Sequence, residues 1–170
     1  MPVTSSDCRL SMMDMAYGYT LTGREDESRR ALDVAFGWLS QPIREDDTIL
    51  GMSIIPNSDL ITLYQTTNEI YFGYGSRVIP MLQPCSESLV EITLRGATVT
   101  QAKLARAYAN AGDPDMAWGA LDAIEQVDSQ LARTELRRAV PVLNRWHGRS
   151  DVRDVMHQLQ AQWSTAIARH

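Results

Sequence analysis

The sequence predicts an all-α protein built from antiparallel helix pairs. Apolar residues recur at spacings of three and four along most of the chain, and glycines stand where these stripes end. No stretch alternates apolar and polar residues convincingly, as a half-buried strand would. Of the 170 residues, 44% are apolar and 22% are charged, which is ordinary for a globular protein. One helical domain spanning residues 1–170 is therefore expected.

The first predicted helix pair is divided by Gly23. An apolar stripe runs from Leu10 to Leu21, and glycine then offers the left-handed conformation that ends a helix. Three acidic residues at 25–27 follow, where a helix N-terminus favours negative charge. The second stripe runs from residue 31 to 39, and Pro42 ends it.

An irregular connector is expected at about residues 41–58. It is long and partly apolar, so we predict that it packs against the helices. A third helix is predicted at about 59–72, and the segment Gly73-Tyr74-Gly75 ends it. A short helix near 76–82 follows, and Pro84 is predicted to end it.

The next helix is predicted to begin at Ser88 and to run to about Asn110. Glu91 stands three residues after Ser88, as in a capping box. Gly112 ends the helix, and Asp113-Pro114 predicts the start of another, with Asp113 as the cap. Two further helices are predicted, at about 129–146 and from residue 150 onward.

Two segments share one pattern, which consists of a large residue, a small residue, a tyrosine, a glycine, a small residue, a leucine and a small or medium residue. The first copy is Met15, Ala16, Tyr19, Gly23, Ser28, Leu32 and Ala35; the second is Leu104, Ala105, Tyr108, Gly112, Ala117, Leu121 and Ile124. The pattern resembles the tetratricopeptide repeat. A third copy placed on Tyr71 and Gly75 is degenerate, because Pro80 occupies a small-residue position.

From about Leu60 onward the chain resembles the C-terminal sensor region of actinobacterial helix-turn-helix transcriptional regulators. The resembling segments are LARAY at 104–108, GDPDMA at 112–117, RTELRR at 133–138 and LNRW at 143–146. The resemblance implies an irregular right-handed solenoid that senses a ligand or another protein. No helix-turn-helix is recognised in the sequence, so the resemblance does not imply DNA binding by this chain.

Composition argues against several functions. The net charge of −5 disfavours a dedicated nucleic-acid binder, which needs a basic face. The two cysteines have neither metal-type nor redox spacing and are expected to be ordinary thiols. The histidines lack partners at metal-ligand spacing, and no nucleophile elbow is present, so no cofactor, metal or enzymatic activity is predicted. The two cysteines are Cys8 and Cys85, and the three histidines are His147, His157 and His170.

Two surfaces are candidate binding sites. The usual groove positions of the repeat fall on Met13, Tyr17, Thr20, Leu21, Val99, Ala102, Arg106, Ala109 and Asn110. Within this set, Arg106 and Asn110 lie one turn apart and would orient a carboxylate or a peptide main chain. The second surface is a basic face of Arg133, Arg137 and Arg138. These arginines are either solvated charges with local acidic neighbours, or they hold an acidic partner or an anionic ligand.

We therefore expect a cytoplasmic, non-enzymatic module that binds a peptide, a small amphiphilic ligand or another protein. Neither a signal peptide nor a membrane-spanning stretch is recognised in the sequence. The module would be the regulatory part of a transcriptional regulator or a relative of one. Two alternatives stay open: a homodimerisation module in which Met156 and Trp163 contact a second copy, and a small enzyme of unfamiliar type.

Overall fold

The computed structural model describes residues 5–39, 57–92, 94–122, 130–154 and 157, and its regular elements are all helical. The helices are α1 (Ser5–Leu21), α2 (Glu25–Leu39), α3 (Asn57–Tyr71), α4 (Gly75–Ile92), α5 (Leu94–Ala111), α6 (Pro114–Asp122) and α7 (Gln130–Leu143). A 3-10 turn at Asn144–Trp146 and a helical stretch at 150–154 follow. The all-α class is confirmed, whereas the solenoid stays a prediction.

The described helices group into two compact units, within Met1–Phe72 and Gly73–His170. In the first unit α1 packs along α2, and α3 contacts both. In the second unit α5 is central and packs against α4, α6 and α7. Helices adjacent in sequence, such as α1 with α2 and α5 with α6, are therefore packed pairs, as the sequence predicts.

The turns after α1 and α5 have the same backbone structure. Gly23 and Gly112 both take left-handed conformations, with φ of 72° and 87°. In each turn, the glycine N–H and the next residue's N–H bond to carbonyls of the last helical turn, which defines a Schellman motif. The four bonds run from Gly23 to Thr20 (3.1 Å), Arg24 to Tyr19 (2.9 Å), Gly112 to Ala109 (3.1 Å) and Asp113 to Tyr108 (2.9 Å).

The third copy of the pattern is displaced by two residues from its predicted register. The left-handed glycine after α3 is Gly73, with φ of 89°, and not Gly75. Gly75 instead begins α4 at a close contact with α5, since a Cβ there would lie 2.0 Å from the Ala107 carbonyl oxygen. Counted from Gly73, the pattern falls on four buried residues: Thr66, Val78, Leu82 and Cys85.

Helix α4 continues through Pro80 and Pro84, so the predicted end at Pro84 and the predicted start at Ser88 are wrong. The two prolines are exposed and four residues apart, so the carbonyls that lose an N–H partner lie on the solvent side. The opposite face packs into the core and keeps the segment helical. Its buried residues include Leu82, Cys85 and Leu89.

The predicted start of α6 is confirmed. Pro114 is its first residue, and Oδ1 of Asp113 accepts a hydrogen bond from the Met116 N–H at 3.0 Å. Helix α2 likewise begins with acidic residues at 25–27. Its Glu27 accepts a hydrogen bond from Nη2 of Arg24 at 2.8 Å, and this bond lowers the pKa of the Glu27 carboxyl.

Helix α3 begins at Asn57, two residues before its predicted start. The predicted connector at 41–58 otherwise lies outside the described residues. No helix in the described part of the chain combines the length and apolar character needed to cross a lipid bilayer.

Candidate functional site

One narrow face of α5 is open to solvent. Between residues 96 and 110 most side chains of this helix are buried against α4, α6 and α7. Of the five part-exposed residues in this range, four are separated by seven, three and four positions and share one helix face, whereas Gln101 lies on the opposite face. We call this set the α5 stripe; its members are Gly96, Lys103, Arg106 and Asn110.

The α5 stripe combines two cations with an amide. Lys103 and Arg106 lie three residues apart, and Asn110 follows one turn after Arg106. The Nε and Nη1 atoms of Arg106 are buried. A guanidinium presents a planar fork of N–H donors that matches a carboxylate, while an amide both donates and accepts. The stripe is thus chemically suited to hold an anionic group beside a polar one.

Side chains from α4 and α7 act on the Lys103 amine. Burial is the main cause that lowers the pKa of Lys103. Glu135 and Cys85 act in the opposite direction and favour the charged amine, whereas Arg138 disfavours it. Glu135 is buried and accepts a hydrogen bond from Nη1 of Arg138 at 3.1 Å. Lys103 therefore lies in a covered polar cluster that three helices build.

The structure separates the predicted groove residues of the second unit into two groups. Arg106 and Asn110 lie together on the α5 stripe, as their spacing predicts. Val99, Ala102 and Ala109 are buried, at 7%, 1% and 0% exposure. Those three side chains pack the interior around α5, so a ligand on the stripe would not contact them without a rearrangement.

The predicted groove residues of the first unit also divide by burial. Met13 is 2% exposed, while Leu21 is 54% exposed. Tyr17 is part-buried, and its hydroxyl lies 3.1 Å from the Tyr71 hydroxyl with the two rings edge to face. Thr20 is buried and bonds to its neighbours. The groove as a whole stays a prediction, and its accessible members in this unit are Tyr17 and Leu21.

A buried polar network occupies the interior of the first unit. The Thr20 hydroxyl donates to the Ala16 carbonyl at 2.9 Å and lies 2.8 Å from the Ser28 hydroxyl. Nδ2 of Asn68 donates to that same Ser28 oxygen at 3.2 Å. These bonds connect α1, α2 and α3, so they satisfy buried polar atoms and hold the unit together.

The predicted basic face is partly engaged within the protein. Arg138 bonds to Glu135 on the preceding turn of α7, whereas Arg137 is exposed. The Arg133 side chain lies outside the described residues, as do Met156 and Trp163 of the predicted dimer contact. The local acidic partner that the sequence suggests for this face is thus present for Arg138.

Lys103 is not among the candidate site residues that the sequence predicts. One signal was available, since Lys103 is the single lysine in a chain with fifteen arginines and stands three residues before Arg106. Its covered surroundings depend on Cys85 and Glu135, which are distant in sequence. In the described part of the chain, no group of three or more His, Cys, Asp or Glu residues could hold a metal ion.

Comparison with known proteins does not assign this chain to a family. No protein-family model, no curated protein and no solved structure matches it. The resemblance to the sensor region of transcriptional regulators accordingly stays a prediction, and function has to be inferred from the α5 stripe.

Proposed function

We propose that this chain is a non-enzymatic binding module that recognises a carboxylate-bearing ligand through the α5 stripe. The observation that supports this proposal most is the placement of two cations and an amide on one part-exposed face of α5, a helix whose other described side chains are mostly buried. Lys103 and Arg106 already have interactions within the protein, and an anionic ligand would add a further attractive interaction to these.

A carboxylate matches the stripe in charge. Arg106 supplies a fixed positive charge, and Asn110 can engage a neighbouring polar group of the ligand. Interactions between charges are also stronger where water is partly excluded. The net charge of −5 gives the chain no general attraction for anions, so selectivity for a carboxylate would come from these local cations.

We further propose that the module is the sensor part of a transcriptional regulator or a relative of one. The turn after α5 supports this reading, because Gly112 and Asp113 belong to the segment 112–117, one of those that carry the resemblance. The carboxylate would come from one of two sources: a small organic acid or the C-terminus of a peptide. Both present the same group to Arg106, and an experiment can separate them.

The test compares the full chain with two variants. Arg106→Gln removes the charge on the stripe, and Arg153→Gln removes an exposed charge elsewhere in the same unit. One arm screens acetate, lactate, succinate and glutarate by the shift in thermal unfolding midpoint. The other selects peptides with free C-termini from a display library and repeats the binding measurement with amidated copies.

At a ligand concentration of about 100 times Kd, binding should stabilise the wild-type fold by about 2.7 kcal/mol. Arg106→Gln should weaken binding by about 2 kcal/mol, or roughly thirtyfold, as expected for a covered charged contact. Arg153→Gln should leave affinity unchanged. Ligands that bind both variants as tightly as the wild type would contradict the proposal.

A further inference from the structure

Three tyrosines and one acid lie where α1 contacts α3 in the first unit. Tyr17 belongs to α1 and Tyr71 to α3, and Tyr64 lies two turns before Tyr71 on the same face of α3. Asp14 precedes Tyr17 by three residues, so the two are neighbours on the surface of α1. The three tyrosines are part-exposed and Asp14 is exposed. We call these four residues the tyrosine face.

The rings of Tyr17 and Tyr71 form a corner. Their centroids are 5.6 Å apart, their planes make an angle of 83°, and their hydroxyl oxygens are 3.1 Å apart. In an edge-to-face pair, the edge of one ring covers one face of the other, and the pair itself leaves the remaining ring faces uncovered. Tyr64 packs against the core cluster that α1 and α2 build, which holds its ring in place. The tyrosine face therefore presents fixed aromatic rings next to solvent.

The electrostatics of the first unit favour a cation at this face. Residues 1–72 contain eleven Asp and Glu residues and five Arg residues, which gives a net charge of −6. The ion pairs described in this unit involve Arg24 and Arg29, and none within the described residues involves Asp14. Burial raises the pKa of Tyr64, and the Asp14 carboxylate acts in the same direction, so this carboxylate lies near the Tyr64 ring. A negative field of this kind attracts cations.

A methylated ammonium group fits the tyrosine face better than other cations. The electron-rich face of a tyrosine ring attracts a cation that lies within about 6 Å of its centroid. A quaternary ammonium has no N–H donor, so it needs aromatic rings and a nearby negative charge, and no hydrogen-bond acceptors. A guanidinium has five N–H donors to satisfy. The tyrosine face offers three rings and one carboxylate, and its Tyr17 and Tyr71 hydroxyls already contact each other.

We propose that the tyrosine face binds a small molecule that carries a methylated ammonium group. The cation lies against the corner of Tyr17 and Tyr71, within one helical turn of the Asp14 carboxylate, and Tyr64 borders the site. This inference goes beyond the proposed function and does not depend on it. The α5 stripe belongs to the other unit and would attract the opposite charge.

The experiment titrates the full chain with three small molecules. Choline is the methylated cation, and ethanolamine is its primary-amine counterpart. The third is the neutral isostere of choline, in which a tert-butyl group replaces the trimethylammonium group. Proton nuclear magnetic resonance follows the signals of each ligand, and their broadening by the protein gives Kd.

Four variants are compared with the wild type. Tyr17→Leu removes a ring, whereas Tyr17→Phe keeps the ring and removes only the hydroxyl. Asp14→Asn removes the carboxylate of the site. The matched control is Asp33→Asn, which removes an exposed acid from α2 in the same unit. Circular dichroism checks that each protein is folded.

Wild type should bind choline in the millimolar range and more tightly than either comparison compound. Tyr17→Leu should weaken choline binding about tenfold, which corresponds to about 1.4 kcal/mol. Tyr17→Phe should stay within about threefold of the wild type, because the aromatic face is retained. Asp14→Asn should weaken binding about threefold or more, since it removes the nearest negative charge. Asp33→Asn should leave the affinity unchanged.

Any of four results would overturn the inference. If the neutral isostere binds as tightly as choline, the face recognises apolar bulk and not a cation. If ethanolamine binds as tightly, the methyl groups are not recognised. Equal weakening by Asp14→Asn and Asp33→Asn would show only a general effect of charge, and this comparison holds even if Tyr17→Leu does not fold. Unchanged affinity in a folded Tyr17→Leu would place the choline elsewhere.

Discussion

Helices α1 and α5 follow one template and present different surfaces. Both end in a Schellman turn, and both carry a fully buried alanine seven residues before the glycine, Ala16 in α1 and Ala105 in α5. The positions of the α5 stripe correspond to different chemistry in α1. There, an acid, an aromatic and an apolar residue replace the two cations and the amide: Asp14, Tyr17 and Leu21 stand in place of Lys103, Arg106 and Asn110.

The surroundings of the two faces differ as well. Asp14 and Leu21 are exposed, and Tyr17 contacts Tyr71 through its ring and hydroxyl. The stripe of α5 is only part-exposed, because α4 and α7 both pack against that helix. Small residues and glycines therefore determine how the two helices of each pair pack, whereas the remaining face of the first helix in a pair can carry different residues. Because packing and surface chemistry depend on different positions, the pattern predicts the fold well and the ligand poorly.

The largest effect is expected where α4 covers α5. A methyl group on Gly75 would lie 2.0 Å from the Ala107 carbonyl oxygen, which belongs to the backbone and cannot rotate away. Gly75→Ala should cost about 3 kcal/mol or more of unfolding free energy. Urea denaturation measures it. The matched control is Gly119→Ala in α6, where the space is open, and it should stabilise the protein by about 0.5–1 kcal/mol.

Overpacking the shared scaffold should damage both units alike. Ala16 and Ala105 are both 0% exposed, so leucine at either position must displace neighbouring helices. Each substitution should cost about 1–3 kcal/mol in a denaturation curve. The control is Ala111→Leu, at an exposed position of α5, which should stay within about 0.5 kcal/mol of wild type. An Ala105→Leu variant with the same free energy of unfolding as the wild type would contradict the correspondence between α1 and α5.

The two Schellman turns should respond equally to loss of glycine. Gly23→Ala and Gly112→Ala each place a Cβ in a left-handed conformation, which costs about 1–2 kcal/mol. Neither position has a neighbour within 4 Å, so the cost is conformational and not steric. A difference of more than about 1 kcal/mol between the two variants in thermal unfolding would show that one turn is held differently.

The smallest effect concerns the charge of Lys103. Its pKa is lowered in the folded chain, so the unfolded chain binds more protons between that value and about 10.4, the ordinary lysine pKa. The free energy of unfolding should therefore rise with pH across this window. Lys103→Met should remove that rise when urea midpoints are compared at several alkaline pH values. If the free energy of unfolding rises equally with pH in Lys103→Met, titratable groups other than Lys103 cause the rise.

The parts of the fold that were predicted correctly depend on local chemistry. The ends at Gly23 and Gly112 and the cap at Asp113 each follow from one or two residues and their conformational preferences. Helix α4 was predicted wrongly because Pro84 and the Ser88 capping pattern are local signals too. Burial of Leu89 and its neighbours against the core outweighed them.

The candidate site, like the fold, could be predicted from the sequence only in part. The spacing of Arg106 and Asn110 placed both on one face of α5, because helical periodicity fixes that relation. The buried state of Val99 and Ala102 was not predictable from spacing, since it depends on which neighbours cover each face. The same is true of Lys103, whose surroundings come from Cys85 and Glu135 on other helices.

The most direct test of carboxylate binding at the α5 stripe uses the single lysine as a probe. Protein grown with carbon-13-labelled lysine carries one labelled side chain, at Lys103, so its nuclear magnetic resonance signal needs no assignment. The tightest-binding carboxylate from the screen is titrated into wild type and Arg106→Gln. The signal should move and saturate in the wild type, and a roughly thirtyfold higher ligand concentration should be needed in the variant. Saturated binding with an unmoved Lys103 signal would contradict the assignment of the site.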